Sequence, residues 1–305
     1  MTGVLAGRLL RAFAVLLAVS ALTFVVGQRS GDPVQLMLRS DATLAQKAEL
    51  RHRLGLDRTL FAQYSSYLVQ VLQGDFGMSY RQHISVGPLI AARLPYSLGL
   101  AGAAFLIALA AGTLLGIAAA LHAGRWFDHL VAVLATLGQV VPGFWVGLVL
   151  VLLFAVHWQI LPVSGTGNAA HFVLPVLTLA IPTAGRIARL IRSGLLEVLR
   201  SDFIRVSRAK GLYPRQVLIR HAIPNALLPL MTQAGLELGD MVGSAFIIET
   251  VFAWPGLGRL AVNAVLQRDF LVVQGCVLVM AACFILINLA VDLMYARIDP
   301  RIRDA

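Results

Sequence analysis

The sequence predicts an all-α membrane protein with six transmembrane helices. A helical segment outside the bilayer follows the first span, and a short basic helix lies between spans four and five. Three observations predict this. First, only 13% of the 305 residues are charged and 58% are hydrophobic, with a mean hydropathy of +0.80. Soluble domains run at about 25% charged and 45–50% apolar, so this chain has too few polar residues to cover a water-facing surface. The same numbers exclude a disordered chain, which would be poor in apolar residues. Second, the runs Leu98–Leu121, Leu130–Val156 and Phe270–Val291 carry no charge. Each exceeds the roughly 20 apolar residues that cross a bilayer. Third, the basic residues cluster in alternate inter-span segments.

The elements follow in order. Leu9–Gly27 is the first span, with Arg11 near its start. Arg8 and Arg11 ahead of an apolar stretch would also suit a signal peptide. The exit Val26-Gly27-Gln28-Arg29 lacks a small-x-small cleavage site, so the span is expected to be retained. Residues 28–97 form an outer, periplasmic segment. Helical patterning over Ala42–Leu54 and Leu60–Leu72, punctuated by the turn cluster Gly74–Ser79, points to a small cap of short helices or to a solvated loop. Residues 98–305 form a five-span core, including an inner loop at 192–224 and an outer loop at 249–269. Phe172–Ile191 is the fourth span, with Arg186 and Arg189 in its last turns. Asn225–Ile248 is the fifth, carrying Glu237 and Asp240. Pro142, Pro175 and Pro182 permit kinks, and Gly138, Gly143 and Gly147 permit close helix approach. Both features suit a gate, and both are ordinary in membrane helices.

Six spans put both termini on one side. With that side cytoplasmic, inner segments carry fifteen Lys and Arg residues and the short outer loops carry only Arg259 and Arg268. The remaining eight lie in the long outer segment, where the positive-inside rule does not apply. The formal charge of +10 is therefore a topology signal. It does not mark a nucleic-acid surface.

The inner segment has its own grammar. Ser201 and Asp202 are N-cap types for a helix over Phe203–Lys210, and Gly211 suits the left-handed position after it. Pro214 opens a second helix ending near His221, and Pro224 is expected to stop it before span five. Arg200, Arg205, Arg208, Lys210, Arg215 and Arg220 make the segment basic. By charge alone it reads equally as a docking element or as an amphipathic helix held by anionic lipid.

Glu237 and Asp240 stand at i, i+3 on one helix face. An acidic residue at mid-bilayer costs roughly 2.5–3.5 kcal/mol, so that face should avoid lipid. It could line a translocation path that favours cationic groups, bond to a neighbouring span or a partner subunit, or reach the outer surface through a shifted span. An ion-coupled carrier would use the same two residues as its ion site.

No catalytic constellation is visible. A phosphate-binding loop needs Gly-x-x-x-x-Gly-Lys-Ser/Thr, but Lys47 is followed by Ala48 and Lys210 by Gly211. Any ATP-driven work must come from another subunit. The motifs HExxH and GxSxG are missing, and the nearest histidine pair, His122 and His129, flanks an inner turn. No metal site is expected. Cys276 and Cys283 lie inside an apolar run and give no disulfide framework.

One pattern resembles a known family. Phe203-Ile204-Arg205-Val206-Ser207-Arg208-Ala209-Lys210-Gly211-Leu212, then Arg220-His221-Ala222 and Asn225-Ala226-Leu227-Leu228-Pro229, is similar to the inner loop of binding-protein-dependent ABC importer permeases. The closest likeness is to the dipeptide/oligopeptide/nickel branch. Set against the general Glu-Ala-Ala pattern of these importers, Gly211 and Pro224 match. Arg205 replaces the acidic first residue, a departure common in the peptide branch. Leu54-Gly55-Leu56-Asp57, Gly74-Asp75-Phe76-Gly77, Leu161-Pro162-Val163-Ser164-Gly165 and Glu249–Gly258 resemble other parts of that branch in the same order.

The resemblance implies a permease subunit that is not itself an enzyme and binds no cofactor. It would form half of a pore with a second permease. Arg205, Ser207, Ala209, Lys210, Gly211, Arg220 and Pro224 would belong to the loop that docks one of two ATP-binding subunits, which carry the ATP and magnesium. An external solute-binding protein would deliver cargo. The expected location is a bacterial inner membrane. The cargo itself is not legible in the sequence.

Overall fold

The computed structural model describes residues 2–29, 34, 43–53 and 55–298. Leu54, part of the outer segment and the inner-side Arg301 and Arg303 lie outside the described residues. In chain order the helices are α1 (Thr2–Arg29), α2 (Leu44–Arg53), α3 (Leu60–Leu72), α4 (Val86–Leu121), α5 (Trp126–Val140) and α6 (Gly143–Leu150). They continue with α7 (Ala170–Arg200), α8 (Asp202–Ala209), α9 (Pro214–Val217), α10 (Ile223–Val251), α11 (Leu257–Leu266) and α12 (Phe270–Ile298). Wide π-helical turns extend α6 over Val151–His157 and join α9 to α10 over Leu218–Ala222. Extended pairing among the described residues is limited to one isolated bridge, Met78 with Ser85.

Four helices are long and apolar enough to cross a bilayer: Gly7–Gln28, Val86–Leu121, Ala170–Arg200 and Phe270–Val291. The run expected as a single third span is instead broken. Trp126–Val140 and Gly143–His157 meet at 111°. The cause is local. Pro142 lacks an N–H, and its ring drives the preceding residue out of the helical region, so Val141 sits at φ −79°, ψ 128°. The second span begins earlier than expected: α4 starts at Val86 and runs through Pro95 without a break.

The chain divides into two compact units. One comprises Met1–Ser97 and Pro255–Ile285. Here α2 and α3 are the expected short helices, and Thr59 caps α3 by accepting from the Ala62 N–H. Tyr64 and Tyr67 pack on Phe24 of α1, and the Tyr64 hydroxyl hydrogen-bonds Ser20 at 2.8 Å. Gly74 and Gly77 take φ near +80°, and the Asp75 carboxylate accepts from the Gly77 N–H at 2.8 Å. Buried Asp269, just before α12, accepts from the Ser79 hydroxyl and from the Tyr80 N–H. Burial, reinforced by the Asp269 carboxylate, pushes the Tyr80 phenol up to about 12.

The other unit comprises Leu98–Trp254 and Leu286–Ala305. Its centre is α7, which packs against α5, α6 and α10. Small residues set the spacing. A side chain on Gly112 or Gly116 of α4 would start 2.7 Å and 2.6 Å from the Ala184 and Ala188 carbonyl oxygens of α7. Gly138 abuts Pro182, and Gly147 abuts Thr178 and Phe252, whereas Gly143 faces open space.

Candidate functional site

The segment between α7 and α10 folds much as its caps require. Ser201 takes the extended N-cap conformation, but its hydroxyl donates back to the Val198 carbonyl instead of capping α8. Gly211 follows α8 at φ +82°, the left-handed region that favours glycine. The Gln216 side chain accepts from the Tyr213 N–H at 3.3 Å, fixing the entry to α9. Pro224 does not stop the chain as expected. It falls in the first turn of α10, and the wide turn just before it accommodates the missing N–H. The wide turn over Leu218–Ala222 carries α9 straight into α10.

This segment has two faces. Inward, Ile204 of α8 and Val217 of α9 are buried with Leu195 of α7, Ala120 of α4, Ala222 of the wide turn and Ala226 of α10. Burying a side chain of Ile204's size stabilises the element by roughly 1.5–3 kcal/mol. Outward, Arg205, Ala209, Lys210, Gly211, Arg220 and Pro224 are exposed, and Ser207 is half-buried, donating to the Phe203 carbonyl at 2.8 Å. Arg205 pairs with Asp202 at 3.1 Å in open solvent. Phe203, Val206, Tyr213 and Ile219 add exposed apolar area among these charges. Tyr213, Ile219 and Arg220 border a shallow depression. A one-sided anchor with a mixed basic and apolar outer face is chemically fit to dock another protein.

The structure separates Glu237 from Asp240. Glu237 is 2% exposed, while Asp240 is exposed. The roughly 60° between positions i and i+3 is enough to turn one inward and the other outward. Arg186 of α7 grips Glu237 through Nε, at 2.8 and 2.9 Å from the two carboxylate oxygens, and through Nη2. Gln233 adds a bond at 3.2 Å. Glu237 is therefore acceptor-saturated by its neighbours and presents no free carboxylate.

Beside this pair lies a cavity of about 400 Å³, lined by Gln139, Pro142, Gly143, Thr183, Arg186 and Ser244 among others. It opens at the break between α5 and α6.

Two features escaped the sequence reasoning. Asp128 of α5 is buried and takes Arg192 of α7 through Nε and Nη2, while accepting from the Gly124 N–H at 2.9 Å. Nothing in the local spacing pairs residues 128 and 192. The second feature was legible: Gly112-x-x-x-Gly116 is the small-residue motif of tightly packed membrane helices.

Several long apolar helices, with a two-faced segment joining two helices of the unit built around α7, are the build of a multi-pass membrane transport component. The chain belongs to the family of binding-protein-dependent transport system inner membrane components, whose pattern matches residues 112–304. The N-terminal region of the same family matches residues 1–101.

Relatives include the glutathione transport system permease protein GsiC of Salmonella typhimurium strain LT2, 41% identical over 97% of both chains. The dipeptide transport system permease protein DppB of Escherichia coli K12 is 38% identical over 94% of both chains. In fold, the chain is similar to the inward-facing MetNI methionine ABC transporter, with a TM-score of 0.55 and 19% identity, over 69% of this chain and 96% of that one. A second likeness is to an amino acid ABC transporter, with a TM-score of 0.52 and 20% identity, over 70% of this chain and 94% of that one.

Proposed function

We propose that this chain is the permease subunit of an ATP-driven importer in a bacterial inner membrane. It forms half of a pore for peptides or similar small solutes, paired with a second permease. The bent pair α5–α6 and the charged helix α10 complete six crossings, with both termini in the cytoplasm. Two ATP-binding subunits hold the ATP and magnesium, and an external binding protein presents the cargo. The segment 192–224 receives one ATP-binding subunit, and its motion passes to α7 and α10 as a rigid-body shift. The observation that carries this reading is the two-faced segment: buried at Ile204 and Val217, exposed and basic at Arg205, Lys210 and Arg220.

A carrier driven by an ion gradient would use Glu237 and Asp240 together, but Arg186 and Gln233 already occupy Glu237, and Asp240 is exposed on another face of α10. Reconstitution into liposomes separates the two mechanisms. With the partner permease, the ATP-binding subunits and the loaded binding protein present, dipeptide uptake should require internal-face ATP and persist when ion gradients are collapsed. Uptake that runs on a proton or sodium gradient without the ATP-binding subunits would contradict the proposal.

A further inference from the structure

The cavity beside the Pro142 break has a cation on its wall, where Glu237 and Asp240 lead the sequence to expect carboxylates. Its volume is about 400 Å³, and none of its lining residues is acidic. Arg186 is the charged group on its wall. One edge of that guanidinium, Nε and Nη2, is committed to Glu237 and to the Thr183 hydroxyl at 2.8 Å. The third nitrogen, Nη1, has no hydrogen bond among the described residues. The side chain as a whole is 33% exposed.

Glu237 holds the guanidinium plane still, so the free edge is oriented before anything arrives. The break adds further donors. The first intrahelical bonds of α6 run from Trp145 and Val146 back to the Pro142 carbonyl, upstream of which Gly143 and Phe144 supply N–H groups with no place in the ladder. Both residues line the same cavity, as do the Gln139 amide and the Ser244 hydroxyl. A guanidinium held by Glu237, unladdered N–H groups and side chains with neutral donors border one space, which is the donor set an anion would require.

We infer that this cavity is a subsite for a carboxylate of the transported solute, engaged by Nη1 of Arg186 during passage. The inference rests on the transport reading above and deepens it by naming the group recognised. Neutralising the pair as Arg186→Gln with Glu237→Gln keeps a hydrogen-bonded couple of the same size and avoids stranding a buried charge.

The test uses the assembled transporter in liposomes, with Ser244→Cys introduced after Cys276→Ala and Cys283→Ala. Modification by sulfonatoethyl and trimethylammonioethyl methanethiosulfonate is compared, each rate normalised to the same reagent with free cysteine. The anionic reagent should be favoured by about tenfold, and the paired Gln variant should abolish the preference. A cationic preference, or a ratio that the Gln pair leaves unchanged, overturns the anion site.

A second arm compares uptake of a dipeptide with that of its C-terminal amide at saturating loaded binding protein. The wild type should favour the acid and the Gln pair should lose that preference. An unchanged acid-to-amide ratio overturns the role in transport. Absence of ATP-dependent uptake with charge selectivity intact would instead refute the transport reading and leave an anion-selective cavity.

Discussion

A carboxylate buried in the middle of a long, largely apolar helix is tolerable only where something answers its charge. Glu237 is answered by Arg186 from the adjacent helix, in a grip that satisfies both carboxylate oxygens. Removing Arg186 strands buried Glu237, whereas removing Glu237 leaves an arginine that is 33% exposed. Arg186→Ala should destabilise the folded unit by about 3–5 kcal/mol and Glu237→Ala by less, and Arg186→Met with Glu237→Met should be far milder than the two single changes added together. Thermal unfolding of the purified protein in detergent checks both. The sequence showed that Glu237 avoids lipid. It did not show the partner, which lies 51 residues away, or that Asp240 turns outward. Gly211 is a different case, because its left-handed role was legible from its place after a helix. Nothing lies within 4 Å of a side chain there, so Gly211→Val carries a conformational penalty alone, of roughly 1–2 kcal/mol. Gly211→Asn should be better tolerated. Uptake should fall in the order glycine, asparagine, valine, with membrane insertion unchanged by immunoblot.

Helix positions were largely legible from apolar runs, and helix continuity was not. Prolines mislead in both directions. Pro142 breaks its run completely because Val141 is forced extended, while Pro95 and Pro224 sit in unbroken chain. The difference is tertiary: neighbours and a wide turn can supply what the missing N–H takes away. The approach of α4 to α7 depends on Gly112 and Gly116. Gly116→Val would place a methyl-bearing carbon against the Ala188 carbonyl, where no flexible side chain can yield. A loss of at least about 1–3 kcal/mol should follow, read as reduced recovery of folded protein by size exclusion. On α8, Ile204→Ala removes the inward anchor and should cost about 2–5 kcal/mol locally. Faster hydrogen exchange over residues 202–217, with α7 unaffected, would identify the anchor as local.

At the scale of the molecule, family membership and the two-faced segment converge on one account. An element fixed to the core on one side offers a basic and apolar surface on the other, and it joins two long helices. Under the proposed function, a partner docked there would act on α7 and α10. The overall class was legible because composition and charge asymmetry are global properties that survive errors in any single helix. The cavity was not legible, since it forms where a broken helix, Arg186 and Ser244 meet from distant parts of the chain. Ala209 is the sharpest probe of the proposed docking surface, because it is exposed while Leu212 is partly packed into the core beneath. The decisive measurement replaces Ala209 with photoreactive benzoylphenylalanine in the assembled transporter and identifies what is captured on irradiation. The account predicts a covalent adduct with the ATP-binding subunit whose yield changes between nucleotide-free and ATP-bound states. Capture of phospholipid alone, in every nucleotide state, would contradict it.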